Sequence, residues 1–278
     1  MKEFTREDII ERLKDKYPKL TFVPTTVTKN GDVEMDAITI RDENPIAPTT
    51  YTASIIERSE SLEEAVDIIS GIIEQNISPN IDIDKLQNKD FILSRIRIGV
   101  QKCSDEELVK KSVPDFPGME AYLYFVEKTG SHDSWSVKFR PKLMSTAGID
   151  ESEAWALAEQ HTFAAATITS MAEIIADMTG MDIDECETPD MDIYVISNAD
   201  KTKGTASILN HDMLKQFAEE HGCSSIVVIP SSIHECILVP IHETIHIEEF
   251  DAMVREVNAT QVAPEDVLVD RAYIVNFD

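Results

Sequence analysis

Apolar residues in this 278-residue chain come in short segments of two different periods, and that alternation restricts its fold more than any other feature. Ser61 followed by Glu64 makes a capping box. Behind it Leu62, Ala65, Val66, Ile69, Ile72 and Ile73 recur at helical spacing, which predicts a helix over 61–75. A shorter helix is predicted from Thr5, with Ile9, Ile10 and Leu13 on one side and Pro18 beyond its end. Period two takes over at Leu20–Val23 and Val33–Ile40, which flank Asn30-Gly31, the dipeptide that best supplies the positive φ angles of a type I′ hairpin turn. Residues 91–100 read as strand, and 119–127 with 135–140 read as a second hairpin joined by polar residues 128–133. Helices are predicted from Asp150 and over 171–179, stopping at Gly180, followed by an exposed acidic loop over 181–192. Strands then follow at 192–197 and 204–209, a helix at 211–221, strands at 225–230 and 235–240, a helix at 249–258 and a last strand at 271–275. With no regular strand–helix–strand repeat, this is an α+β pattern of mixed, mainly antiparallel sheets with packed helices.

Charge divides the chain unevenly. Residues 1–145 carry 20 Lys+Arg and 26 Asp+Glu, and residues 146–278 carry 5 and 26, so the formal charges are −6 and −21. The expected organisation is two lobes meeting near residue 147, an N-terminal lobe over 1–147 and a strongly acidic lobe over 148–278. A total of −27 repels phosphate backbones and anionic lipid, which argues against nucleic-acid and membrane partners. The simplest role for the acidic surface is solubility; a sharper one is docking a basic protein partner or mimicking a nucleic-acid backbone. Cys103, Cys186, Cys223 and Cys236 have no metal-knuckle or disulfide-scaffold spacing, and no apolar run approaches the ~20 residues of a membrane span. A reduced, cytoplasmic protein is expected.

One motif invites a catalytic reading. His242-Glu243-Thr244-Ile245-His246 spells H-E-x-x-H, which in zinc peptidases places two imidazoles one helical turn apart. The chemistry needs a helix, yet the Ile-rich surroundings (Ile237, Ile241, Ile245, Ile247) read as extended or irregular backbone. Glu249 and Ala252 also stand where a third-ligand tail would place Gly and His. Cys236 near His234 lacks the spacing of a nucleophile–base pair on a strand, and Asp182–Glu187 lacks the glycine turn of a calcium loop. Neither a phosphate-binding glycine loop nor a hydrolase elbow is found, so no cofactor is expected.

The segments Ile40–Thr49, Tyr194–Asn198, Pro230–Glu235 and Met253–Glu265 resemble an uncharacterised bacterial family, domain of unknown function family 5688, over residues from about 30 to the end. The resemblance implies no activity. It does imply that the stretch holding His242 and His246 is variable and need not spell H-E-x-x-H. Asn258 reads as a C-terminal helix cap that helps to lock the last strand. A cleft lined by Asn198, Ser232, His234, Arg255 and Asn258 is the candidate ligand site, with structural hydrogen bonding as its plainer role. The reading is a non-catalytic binding or regulatory protein with an unknown small-molecule ligand; the alternative is a zinc metallopeptidase using His242 and His246.

Overall fold

The structure is a computed structural model describing residues 4–42, 47–76, 85, 87–128, 134–182 and 192–277. The acidic loop expected over 181–192 lies largely outside the described residues, as does most of the 128–133 connection. In order, the elements are α1 (Arg6–Lys16), β1 (Thr21–Lys29), β2 (Val33–Arg41), β3 (Thr49–Tyr51), α2 (Ala53–Arg58), α3 (Leu62–Asn76), α4 (Lys89–Leu93), β4 (Ile96–Lys102), β5 (Lys110–Ser112), β6 (Met119–Lys128) and β7 (Ser134–Lys138). They continue with α5 (Pro141–Thr146), α6 (Glu151–Ala164), β8 (Ala166–Ser170), α7 (Met171–Thr179), β9 (Tyr194–Asn198), a 3-10 helix (Gly204–Leu209), α8 (His211–Glu220), β10 (Ser225–Pro230), β11 (Cys236–Pro240), α9 (Ile247–Thr260) and β12 (Tyr273–Asn276). This is an α+β architecture with antiparallel sheets.

Contacts divide the chain into Met1–Ile83 and Asp84–Asp278. Residue 147, where the step in charge suggests a junction, lies inside the second unit. There Ala147 and Ile149 share one core with Ile98 and Leu238. Charge density is a property of the surface and does not mark where a core ends.

In the first unit, β1, β2 and β3 form a sheet in that order, and Phe22, Ile38 and Ile40 face a core filled by Ile9, Leu13, Ile69 and Ile73 from α1 and α3. Thr5 and Asp8 complete a capping box on α1. At α3 the Ser61 hydroxyl accepts from Glu64 N (3.2 Å), but the Glu64 carboxylate reaches one residue further back, to Glu60 N (2.7 Å). Asn30 and Gly31 have φ of +42° and +84°, and three residues separate the paired Lys29 and Val33. Pro24 sits on edge strand β1, where its missing N–H costs no ladder bond.

In the second unit, one sheet runs β12-β10-β11-β9-β8 and the other has β4-β6-β5 with β7 also on β6. Both contribute to one core, through Ile226, Leu238 and Ile196 from the first and Ile98, Leu123 and Phe125 from the second. The opposite face of the five-stranded sheet, with Val227 and Val239, is covered by Phe250 and Val254 of α9. Helix α6 guards the free edge of β4: Ile98 N donates to Thr162 Oγ1 (2.9 Å), and His161 Nδ1 lies 3.1 Å from Ile96 O, an acceptor that fixes the proton on Nδ1. The outer face of the second sheet carries a paired polar layer. The Glu120 carboxylate accepts from Gln101 and Ser104 (both 2.8 Å) and from Lys110, while Lys138 pairs with Glu106 (2.8 Å). Burial alone would raise the Glu120 carboxyl, but these bonds outweigh it and hold it below the usual carboxylate range.

Two expectations need correction. Residues 91–100 are not one strand, because Asn88 caps a short helix through Leu93 and the strand begins at Ile96. Gly204–Leu209 is a 3-10 helix, not a strand. Its residues 204–208 are buried, and its alternating hydroxyls bond laterally, Thr205 Oγ1 to Ser232 O (2.5 Å) and Ser207 Oγ to Ser197 O (2.8 Å). Strand β8, not among the expected elements, carries the β-branched run Thr167-Ile168-Thr169 directly between α6 and α7, with no turn residues to set it off.

Candidate functional site

Asn198, Ser232 and His234 are brought together in one hydrogen-bonded knot. Asn198 ends β9 and folds the chain back: its Oδ1 accepts from Asp200 N (3.1 Å) and Thr202 N (3.2 Å), and its Nδ2 donates to Thr202 O (2.8 Å). Within this turn Lys201 and Lys203 take left-handed φ of +50° and +53°, a conformation that disfavours side chains with a Cβ. Lys203 N donates to His234 Nδ1 (3.2 Å), so that nitrogen carries no proton, and His234 Nε2 faces Asp266 Oδ1 at 3.6 Å. Ser232 Oγ accepts from His234 N (3.1 Å), and Ser197 Oγ donates to His234 O (2.8 Å). Gly204 closes the knot: a Cβ there would lie 2.6 Å from His234 O and 2.7 Å from Asn198 N, and closer still to Ser197 Oγ. The result is a filled joint between β9, the 3-10 helix and the β10–β11 turn. Buried beside it, Cys236 has its thiol pushed up to about 12 by desolvation, which keeps it protonated and poorly nucleophilic at neutral pH.

The other two residues of the expected cleft lie on α9. Asn258 does not cap that helix, which continues to Thr260; its Nδ2 donates to Val269 O (3.0 Å) and Asp270 Oδ1 (2.9 Å) and so ties α9 to the segment that leads into β12. Arg255 is exposed on α9 and forms no ion pair with Glu235.

His242 and His246 are not one helical turn apart. Residues 241–246 are irregular, and α9 begins at Ile247 with His246 as its N-cap at φ −105° and ψ 100°. Ile241, Ile245 and Ile247 pack on the core under α9, while His242, Glu243 and His246 are exposed. Among the described residues no three His, Cys, Asp or Glu side chains are grouped to hold a metal ion.

A pocket of about 280 Å³ opens elsewhere in the second unit, built from residues that sequence reasoning did not connect. Ile98 of β4, Ile208 of the 3-10 helix and Leu214 of α8 give it an apolar floor, all three at most 2% exposed. Its aromatic lining comes from Phe116, Phe163 and Trp155, and exposed Lys111, Asp115, Glu159 and His211 stand at its edge. The Lys111 ammonium lies 4.3 Å from the centroid of the Trp155 ring. Trp155 is 5% exposed, and its Nε1–H has no acceptor among the described residues. Such a buried, unpaired donor costs about 1–3 kcal/mol. The lining is drawn from positions between 98 and 275, so no local motif announces it; the sequence shows Trp155 only as part of the apolar stripe of α6.

A family model described as a family of unknown function, DUF5688, matches residues 1–276, nearly the whole chain. The chain belongs to this family. No curated protein and no solved structure matches it. In this DUF5688 protein, two of the segments that carried the resemblance meet in the knot, Tyr194–Asn198 as β9 and Pro230–Glu235 as the turn closed against it. A third, Met253–Glu265, runs along α9 and ends beside Asp266, whose carbonyl accepts from Ile233 N (2.9 Å).

Proposed function

We propose that this DUF5688 protein is a non-catalytic, cytoplasmic binding protein and that the pocket lined by Trp155 is its ligand site. The observation that carries the reading is the pocket itself: a concave apolar surface flanked by a few charged groups has the make-up of a small-molecule site. The reactive side chains support binding over turnover. The Cys236 thiol is buried and protonated, and His242 and His246 lie on irregular backbone.

The test is a thermal-shift screen of small molecules on the full chain and on Leu209→Phe, which enlarges a half-buried side chain at the pocket wall. A ligand at 100 times its Kd stabilises the folded state by about 2.7 kcal/mol. The expected result is at least one compound whose stabilisation is lost in the variant. Stabilisation by every hit that is equal in both proteins would overturn the site. Peptide hydrolysis lost on His246→Ala would overturn the non-catalytic reading.

A further inference from the structure

We infer that the pocket takes a small organic ammonium with an apolar body, which replaces the Lys111 ammonium over the Trp155 ring. The inference rests on the pocket being a ligand site and adds its ligand class.

The indole face already holds a cation of the right kind. Lys111 Nζ sits 4.3 Å from the ring centroid, within the range of a cation–π contact. Lys111 itself is an exposed residue on the three-residue strand β5, so its side chain can swing into water without disturbing the core. Trp155 stands there although its buried Nε1–H has no acceptor among the described residues, a penalty that Phe or Leu would avoid. What Trp adds over either is the strongest π face for a cation.

The charges favour the same ligand. Asp115 and Glu159 are exposed at the pocket edge, and neither forms an ion pair with a described residue. The formal charge of −27 concentrates cations near the surface and repels anions. Ile98, Ile208 and Leu214 then supply the surface for a hydrocarbon body. At water's share of about 30 Å³ per molecule, the volume of about 280 Å³ holds roughly nine non-hydrogen atoms. Phenethylammonium is a probe of that size.

Calorimetric titration of the full chain compares phenethylammonium with 2-phenylethanol, its neutral counterpart, and with phenylacetate, its anionic one. The ammonium is expected to bind at least tenfold more tightly than the alcohol, and phenylacetate not to bind. Lys111→Ala should tighten the ammonium about threefold or more by removing the internal competitor. Asp115→Asn with Glu159→Gln should weaken it several-fold and leave the alcohol unchanged. If the alcohol or phenylacetate binds as well as the ammonium, or if Lys111→Ala weakens the ammonium, the ligand class is wrong while the pocket reading stands. If none of the three probes binds either wild type or Lys111→Ala, this inference falls, and the screen on Leu209→Phe judges the pocket independently.

Discussion

Gly204→Ala tests the claim that the knot at Asn198, Ser232 and His234 is a filled joint. The added methyl would meet two backbone atoms, His234 O at 2.6 Å and Asn198 N at 2.7 Å, as well as the Ser197 hydroxyl. Side chains could rotate away, but the backbone contacts require the 3-10 helix to move off β9 and the β10–β11 turn. Overpacking of this kind costs about 1–3 kcal/mol. Displacing Ser197 from His234 O loses a further hydrogen bond of about 1 kcal/mol. The total of about 2–4 kcal/mol corresponds to a fall in Tm of about 4–16 °C for a unit of this size. Calorimetry on wild type, Gly204→Ala, Ser197→Ala and the double variant is the assay. Because Ser197 Oγ is the nearest obstacle, removing it should make the glycine substitution less costly, so the double variant should lose less stability than the two single losses combined. A Tm within 2 °C of wild type for Gly204→Ala, or strictly additive losses, would refute the packing argument.

Three further outcomes are expected. Glu120→Gln should flatten the acid limb of the stability curve: the folded carboxyl is held low, so its contribution is present above the unfolded value of about 4.3 and fades as pH falls through the folded one, and denaturant midpoints from pH 7 down to 3 would show whether the variant converges on wild type. Maleimide labelling followed by peptide mass mapping should modify exposed Cys103 under native conditions and Cys236 only after denaturation, and rapid native labelling of Cys236 would contradict its burial. Gly71→Ala, inside α3 with nothing within 4 Å of the added methyl, should stabilise the first unit by about 0.8–1.0 kcal/mol in urea unfolding, whereas a loss would mean an unseen contact.

Local chemistry was legible wherever it was self-contained. The apolar period of 61–75, the Thr5 cap and the Gly180 stop each act within a few residues and form as the sequence implies, and Asn30 and Gly31 take the expected positive φ, although the loop between Lys29 and Val33 holds three residues and not two. The irregular backbone at 241–246 was readable for the same reason, because isoleucines spaced two and four apart turn inward while the histidines face solvent. Where the outcome depended on distant partners, reading failed. Thr205 and Ser207 look like alternating strand positions until Ser232 and Ser197 accept their hydroxyl protons. Asn258 has the composition of a cap, but the carbonyl of Val269 engages it instead. Asn198 and His234 lie 36 positions apart and meet through the Asn198 turn and the Lys203 amide, whereas the link between Lys111 and Trp155 crosses 44 positions and leaves no trace in spacing.

The pocket wall begins with Ile98 on β4 and is completed by Val275 on β12, a strand that reaches its place only by pairing with β10. During synthesis, the wall would therefore wait for β12 to emerge, and the side of the pocket that Val275 closes would stand open until then. Chains dominated by such long-range closures fold slowly and meet chaperones or aggregate in the interval. Removing residues 273–276 should for that reason leave a sticky, ligand-blind polypeptide, not merely a shorter one.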